Sequence, residues 1–138
     1  MNVQDENMWN IDKTGIVLDI YANILVLTSS KKSHTYVKAP QDREWVSIIE
    51  TISATGRKLR CLVIFKGGSL QVQWFTMDNV PDWLYTTSEN GWTSNSIAVN
   101  WLEQIFLPET KPNEKKYWIL ILDGHGSHIS VDFLWTCK

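Results

Sequence analysis

The chain has 138 residues, of which 43% are hydrophobic and 20% are charged, so it is long enough for one folded domain and too apolar to be disordered. Its formal net charge of −2 excludes a uniformly basic protein, so any binding to nucleic acid has to come from a local patch. No apolar run approaches the roughly 20 residues that span a membrane, and the acidic, polar N-terminus is unlike a secretory signal.

The first predicted strand covers residues 8–12 (MWNID) and ends in an acid, Asp12. Residues 13–15 (KTG) then predict a turn. Taken alone, Asp12 is more typical of an Asp-x-x-Gly turn than of a catalytic site. The following residues, 15–30, are apolar enough for one or two further strands.

A polar connection follows at residues 29–43, and it holds the basic cluster of the first half of the chain. A solvated loop is the favoured interpretation of this cluster, and a contact with the phosphate backbone of a nucleic acid is the alternative. The cluster consists of Lys31, Lys32, Lys38 and Arg43.

Two β-rich runs, residues 45–53 and 59–65, flank the glycine-containing segment 54–58, which predicts a hairpin. Residues 70–91 are irregular and aromatic, and we expect them to be a long connection packed on the core. Stacking of nucleic-acid bases on these aromatic rings lacks support from the sequence, because no basic residues are interleaved with them.

Residues 92–107 predict the clearest helix, with Thr93 or Ser94 as its N-cap and Pro108 as its end. Its apolar residues recur at helical spacing and predict one buried face. These residues are Ile97, Trp101, Leu102, Ile105 and Phe106.

A short apolar run at residues 118–122 (WILIL) predicts a strand that is buried on both faces. It ends in Asp123, and residues 129–138 then predict the start of a second helix. The order of an antiparallel meander, a crossover helix and a further strand predicts an α/β fold with a mixed sheet.

Asp12 and Asp123 each follow a predicted strand, and their carboxylates would meet if the two strands were parallel neighbours. Two adjacent carboxylates repel each other unless one is protonated or a cation bridges them. Mg²⁺ accepts one or two carboxylates together with waters and substrate phosphates. A chemical role is favoured for Asp123 over an Asp that caps the next turn or helix, and a magnesium site is one such role.

A rival metal site consists of Asp123, His125 and His128, whose D-x-H-x-x-H spacing could suit zinc or manganese in a small hydrolase. This site needs further ligands from elsewhere, and His34 is the remaining histidine. The two cysteines lack metal-ligand spacing and are expected to be reduced, as in an intracellular protein.

Four segments resemble, in order and spacing, the DDE superfamily endonuclease domain of pogo-type transposases, including the fungal, Tigger and centromere protein B-like members. The aspartate-glycine-histidine motif after an apolar strand is the most specific of the four. The segments are residues 10–15 (NIDKTG), 43–46 (REWV), 91–103 (GWT and WLE) and 122–128 (LDGHGSH).

The resemblance implies a ribonuclease H-like α/β fold, a mixed sheet with flanking helices. It implies that Asp12 on the first strand and Asp123 on the adjacent fourth strand bind Mg²⁺ or Mn²⁺ and are catalytic. It also implies cleavage and joining of DNA in the nucleus. Residues 1–138 are accordingly expected to be a partial catalytic domain.

Three departures from the family pattern shape the remaining expectations. Lys13 stands where the family usually has Glu, the family's third acid is expected downstream of Lys138, and no N-terminal helix-turn-helix region is present. We therefore expect the C-terminal part of the fold to be missing and the fragment to be inactive. A non-catalytic DNA- or protein-binding relic of a transposase is the alternative, and uncovered apolar surface predicts self-association.

Overall fold

A computed structural model describes residues 3–18, 44–71, 75, 81–111, 117–124 and 130–138. Within these ranges the chain forms a five-stranded mixed sheet with the strand order β4-β3-β2-β1-β5. The strands are β1 (Met8–Leu18), β2 (Glu44–Ser53), β3 (Leu62–Lys66), β4 (Leu84–Ser88) and β5 (Ile119–Ile121).

The first three strands form the antiparallel meander that the sequence predicts. A tight turn joins β2 to the segment that leads into β3, and Ser53 and Arg57 pair across it. Gly56 occupies the turn with a φ of +86°, a conformation that costs glycine little. The predicted hairpin is confirmed, although β3 begins at Leu62 rather than at residue 59.

The turn predicted at residues 13–15 is wrong, because β1 continues through them to Leu18. Every residue of this extension pairs with β2, from Lys13 opposite Ile49 to Leu18 opposite Glu44. Gly15 has no turn conformation and lies instead beneath the ring of Trp45. Cross-strand pairing has therefore overridden the local turn signal, and Asp12 lies inside a strand rather than at its end.

Strand β4 lies within the segment that the sequence predicts to be irregular. It pairs in parallel with β3, with Leu62 opposite Leu84 and Lys66 opposite Ser88. A parallel pair depends on a distant partner rather than on a local turn, so the sequence around β4 carries little signal for it. The predicted packing of aromatic rings is present, since the rings of Phe75 and Tyr85 meet edge to face at 4.9 Å.

The crossover helix comprises α1 (Asn95–Trp101), a π-helical segment (Leu102–Phe106) and α2 (Leu107–Thr110). Ser94 caps α1, because its side chain accepts a hydrogen bond from the Ile97 amide. The predicted end at Pro108 is wrong. The helix continues through Pro108 to Thr110, and the carbonyl of Gln104, four residues before the proline, accepts a hydrogen bond from Arg60 Nη2 at 3.2 Å instead of from the missing N–H.

Strand β5 runs parallel to β1 at the edge of the described sheet, with Met8 opposite Ile119 and Asn10 opposite Ile121. The prediction that both of its faces are buried is wrong. Leu120 packs against the core, but Ile119 and Ile121 are exposed. The second helix is confirmed as α3 (Val131–Thr136), which Ser130 caps.

The crossover helix and α3 cover one face of the sheet and form one hydrophobic core with it. No helix within the described ranges is long and apolar enough to cross a membrane. The core comprises Trp9, Ile11, Ile49, Leu59, Leu62, Ile64, Ala98, Trp101, Leu102, Ile105, Phe106 and Phe133.

Candidate functional site

The central feature of the site is a row of carboxylates on adjacent strands. On β1, Asp12 is directly opposite Glu50 of β2. Residues directly opposite each other in an antiparallel pair have Cβ atoms about 4.5–5.5 Å apart, so these two acids are neighbours. On the other side of β1, the pairing with β5 ends with Asn10 opposite Ile121, and the third acid, Asp123, follows two residues after that pair.

All three acids belong to the sheet face that lies opposite the crossover helix. Ile11 and Thr51 flank the row on their strands and are buried on the helix side, whereas Asp12 and Glu50 are exposed. Because neighbouring side chains of a strand alternate between faces, the acids point away from the core. The amide of Asn10 strengthens the contact with β5 by donating to the Ile121 carbonyl at 3.4 Å.

Lys13 follows Asp12 but its side chain lies on the other face of the sheet. Its Nζ is 5.0 Å from the centre of the Trp92 ring. The Lys13 amide donates a hydrogen bond to Asp12 Oδ1 at 2.8 Å, which helps to orient that carboxylate. Lys13 departs from the family pattern, but its ammonium group does not lie on the face of the sheet that carries the acids.

Asp12 and Glu50 line a surface depression of about 320 Å³ together with Lys58 and Cys61. Burial raises the pKa of the Cys61 thiol, and the negative charge of Glu50 raises it further while Lys58 lowers it. At neutral pH the thiol is therefore protonated, and it serves as a reporter of the local charge.

Replacing Glu50 with Gln is expected to speed alkylation of Cys61 and to raise the stability of the metal-free protein. The neutral side chain removes both the charge that raises the thiol pKa and the repulsion of Asp12. We expect about 0.5 kcal/mol of added stability, near 2 °C in Tm. Alkylation rates against pH in a Cys137→Ser background measure the first effect. If Glu50→Gln left the pH dependence of Cys61 alkylation unchanged, Glu50 would not influence the pKa of the thiol.

The donor set suits a hard divalent cation. Carboxylate oxygens are ligands that Mg²⁺ and Mn²⁺ accept, and Mg²⁺ needs only one or two of them because it retains waters. Within the described ranges, no three His, Cys, Asp or Glu side chains lie close enough to hold a metal ion by themselves. Carboxylates are thus suitable ligands by their chemistry, and metal binding by Asp12 and Asp123 stays a prediction.

Several residues singled out in the sequence fall outside the described ranges. These are the rival metal ligands His125 and His128, the remaining histidine His34, and the basic cluster Lys31, Lys32, Lys38 and Arg43. The small-hydrolase hypothesis and the phosphate-contact hypothesis both stay predictions.

A second charged cluster, around Arg60, has a structural role. Its guanidinium pairs with Glu109 at 2.5 Å and with Asp82 at 3.7 Å. The hydrogen bond to Glu109 raises the pKa of Arg60. Through Arg60 and Glu109, the cluster connects the segment before β3 to the end of α2 and so helps to hold the crossover helix over the sheet.

Glu50 is the site residue that sequence reasoning missed. Its run reads as an ordinary strand, and no local motif marks the acid. The sequence of β2 did contain a signal, because Glu50 interrupts residues 45–53, which are otherwise apolar or hydroxylated. Only the register of β1 against β2 shows that this interruption lies opposite Asp12.

The strand order around β1 is that of a ribonuclease H-like fold, in which an antiparallel meander is followed by a crossover helix and a parallel strand beside the first. The expected adjacency of the two acid-bearing strands is confirmed. The second of them is the fifth strand of this chain rather than the fourth, because β4 is added at the far edge.

The profile of the DDE superfamily endonuclease family matches residues 42–138, which is more than half of the chain. The chain belongs to this family of DNA-acting endonucleases. Asp123 and Glu50 lie within the matched segment and Asp12 precedes it.

The chain is also 32% identical over 138 residues to a protein of Cochliobolus lunatus named MFS-type transporter clz9. The match covers 99% of this chain but 15% of that protein, so the transporter name refers to a polypeptide of which this region is a small part. No solved structure matches the chain.

Proposed function

We propose that this chain is part of the catalytic domain of a pogo-type DDE transposase, in which Asp12 and Asp123 bind Mg²⁺ or Mn²⁺ for phosphodiester cleavage and strand transfer in DNA. The observation that supports the proposal is the parallel pairing of β1 with β5, which ends with Asn10 opposite Ile121, two residues before Asp12 and Asp123 respectively. Membership of the endonuclease family supplies the reaction class.

In this proposal each acid has a distinct task. A divalent cation held between Asp12 and Asp123 would polarise the phosphate and lower the pKa of a bound water. The Lys13 amide fixes the orientation of the Asp12 carboxylate. Glu50, opposite Asp12, would accept hydrogen bonds from ordered waters and so help to orient the nucleophilic water.

The cellular setting and the assembly follow from the same proposal. A DNA substrate places the protein in the nucleus. The acid-bearing face also exposes Ile52, Ile119 and Ile121, which form an apolar patch beside the carboxylates. We propose that this patch supports self-association, since adjacent exposed apolar side chains favour contacts between proteins.

A non-catalytic DNA- or protein-binding domain derived from a transposase is the second candidate function. The side chain of Lys13 favours it, because it replaces an acid of the family pattern and is engaged by Trp92 rather than by the carboxylates. In this case DNA binding would persist in EDTA and would be insensitive to replacement of the acids.

A nicking assay on supercoiled plasmid distinguishes the two functions. We expect this fragment by itself to convert little plasmid to the open circle, and any conversion that Mg²⁺ or Mn²⁺ supports should fall at least about 100-fold in Asp12→Ala and in Asp123→Ala. Glu103→Ala, which alters an exposed acid on the crossover helix, is the matched control. Equal nicking by all variants would refute the assignment of these acids, and binding without nicking would support the second candidate.

A further inference from the structure

We propose that Trp92 and Trp45 form a stacking platform for an unpaired nucleobase, whose phosphate would contact the ammonium group of Lys13 that lies over the Trp92 ring. The two indole rings lie 6.3 Å apart between centroids with an interplanar angle of 34°. Lys13 Nζ stands 5.0 Å from the Trp92 centroid. The proposal rests on the proposed function in one respect, which is that DNA is the polymer that carries the base.

Both rings are held in place and yet remain open to solvent. Trp45 is 40% exposed and Trp92 is 48% exposed, whereas Trp9 and Trp101 of the same chain are almost completely buried. A nucleobase presents a flat π-face, and stacking on an aromatic side chain is favourable for every base. Two adjacent, partly exposed indoles with an ammonium group are the elements of such a platform.

The backbone before Trp92 fixes the position of its ring. Gly91 has a φ of +76°, and a Cβ at this position would come within 2.6 Å of the Trp45 carbonyl oxygen. The buried Ser47 hydroxyl donates to the Gly91 carbonyl at 2.7 Å, and the Ser88 hydroxyl donates to the Trp92 carbonyl at 2.9 Å. The platform is therefore preorganised, which lowers the entropic cost of binding a base.

The platform lies close to the acids along the chain but on the opposite face of the sheet. Lys13 directly follows Asp12, and β5 pairs only with residues 8–10 of β1. Within the described ranges, residues 13–18 of β1 therefore form an open edge of the sheet. A single DNA strand can pass around this edge, with a phosphate at the acids and a neighbouring base on Trp92.

DNA explains this surface better than a protein partner does. The depression next to Trp92 is lined mainly by hydroxyl and amide side chains, namely Thr86, Thr87, Ser88, Asn90, Thr93, Ser94 and Ser96, with Glu89 and Ile97. Ser, Thr and Asn side chains are among those that contact the phosphates and sugars of DNA. The ammonium group of Lys13 complements a phosphate.

The test is binding of a fluorescently labelled single-stranded oligonucleotide to the full chain in EDTA, followed by anisotropy. We expect Trp92→Ala to weaken binding roughly tenfold and Trp92→Phe to restore much of the loss. Trp135→Ala is the matched control, because Trp135 is 71% exposed and also lies under a lysine, with Lys138 Nζ at 4.9 Å. It should leave the affinity unchanged.

An oligonucleotide that carries abasic sites provides the second arm. Loss of the bases should remove the difference between the wild-type chain and Trp92→Ala, whereas a purely electrostatic contact would preserve wild-type affinity. Circular dichroism and Tm confirm that each variant is folded. Unchanged binding by Trp92→Ala, or an equal loss in Trp135→Ala, would overturn the platform.

The assay also separates the platform from the proposed catalytic site. Because it contains no divalent metal, it measures binding of the oligonucleotide independently of the proposed metal site. Stacking without nicking would leave the platform intact and refute catalysis in this chain. Nicking that is unaffected by Trp92→Ala, together with unchanged binding, would refute the platform alone.

Discussion

Replacing either Asp12 or Asp123 with Asn is expected to abolish the stabilisation of the fold by Mg²⁺ or Mn²⁺. A ligand present at 100 times its Kd stabilises a protein by about 2.7 kcal/mol. If loss of one carboxylate raises the Kd about 100-fold, the stabilisation at the same metal concentration falls to about 0.4 kcal/mol. The pairing of the two strands makes the effects of the two replacements equivalent.

In the absence of metal, the same replacement should change Tm in the opposite direction, which shows that the loss in excess metal comes from metal binding. Without a cation, Asp12 repels Glu50 across the strand pair, so Asp12→Asn should raise Tm in EDTA while it lowers Tm in excess metal. Thermal melts with and without metal measure both effects. Glu103→Gln serves as control, because Glu103 lies on the crossover helix at the other face. Equal metal responses in all proteins would contradict a site at these acids.

The second large effect is a loss of stability of about 3–5 kcal/mol on replacing Trp9 with Ala. Trp9 is 1% exposed and its ring meets Phe106 edge to face at 6.1 Å. It is also opposite Leu120 in the pairing of β1 with β5. A cavity there would loosen the crossover helix and the two acid-bearing strands together, and Tm should fall by more than about 10 °C.

Trp9→Phe separates packing from hydrogen bonding at the same position. Within the described residues, the buried Trp9 Nε1 has no hydrogen-bond partner, so phenylalanine removes a polar group that weakens the core. We expect it to cost less than half as much as alanine. Trp135→Ala, at an exposed tryptophan, should change the free energy of unfolding by less than about 0.5 kcal/mol. Similar losses in Trp9→Ala and Trp135→Ala would contradict the described core.

Elements that depend on local signals were predictable from the sequence. The hairpin between β2 and β3 follows from two β-rich runs around Gly56, and the N-cap at Ser94 follows from an apolar helical face behind a serine. The predicted helical core residues are buried, apart from Ile97, which packs at its edge. In each case the residues that decide the structure are neighbours in the chain.

Elements that depend on distant partners were predicted wrongly. Residues 13–15 carry a turn signal, but pairing with β2 keeps them extended. Residues 84–88 have no strong strand pattern, but β3 provides a parallel partner. Leu122 and its neighbours have apolar side chains for two faces, yet the described helices cover only one. Tertiary contacts outweigh local propensities of a few tenths of a kcal/mol.

The sequence by itself determined the family, and it provides the prediction that Asp12 and Asp123 belong together. It could do so because a motif after an apolar strand is local information. Only the tertiary structure decided that Glu50 completes the row and that Lys13 turns from the acids to Trp92. Both depend on register and on the alternation of strand faces, which the packing of the whole sheet fixes.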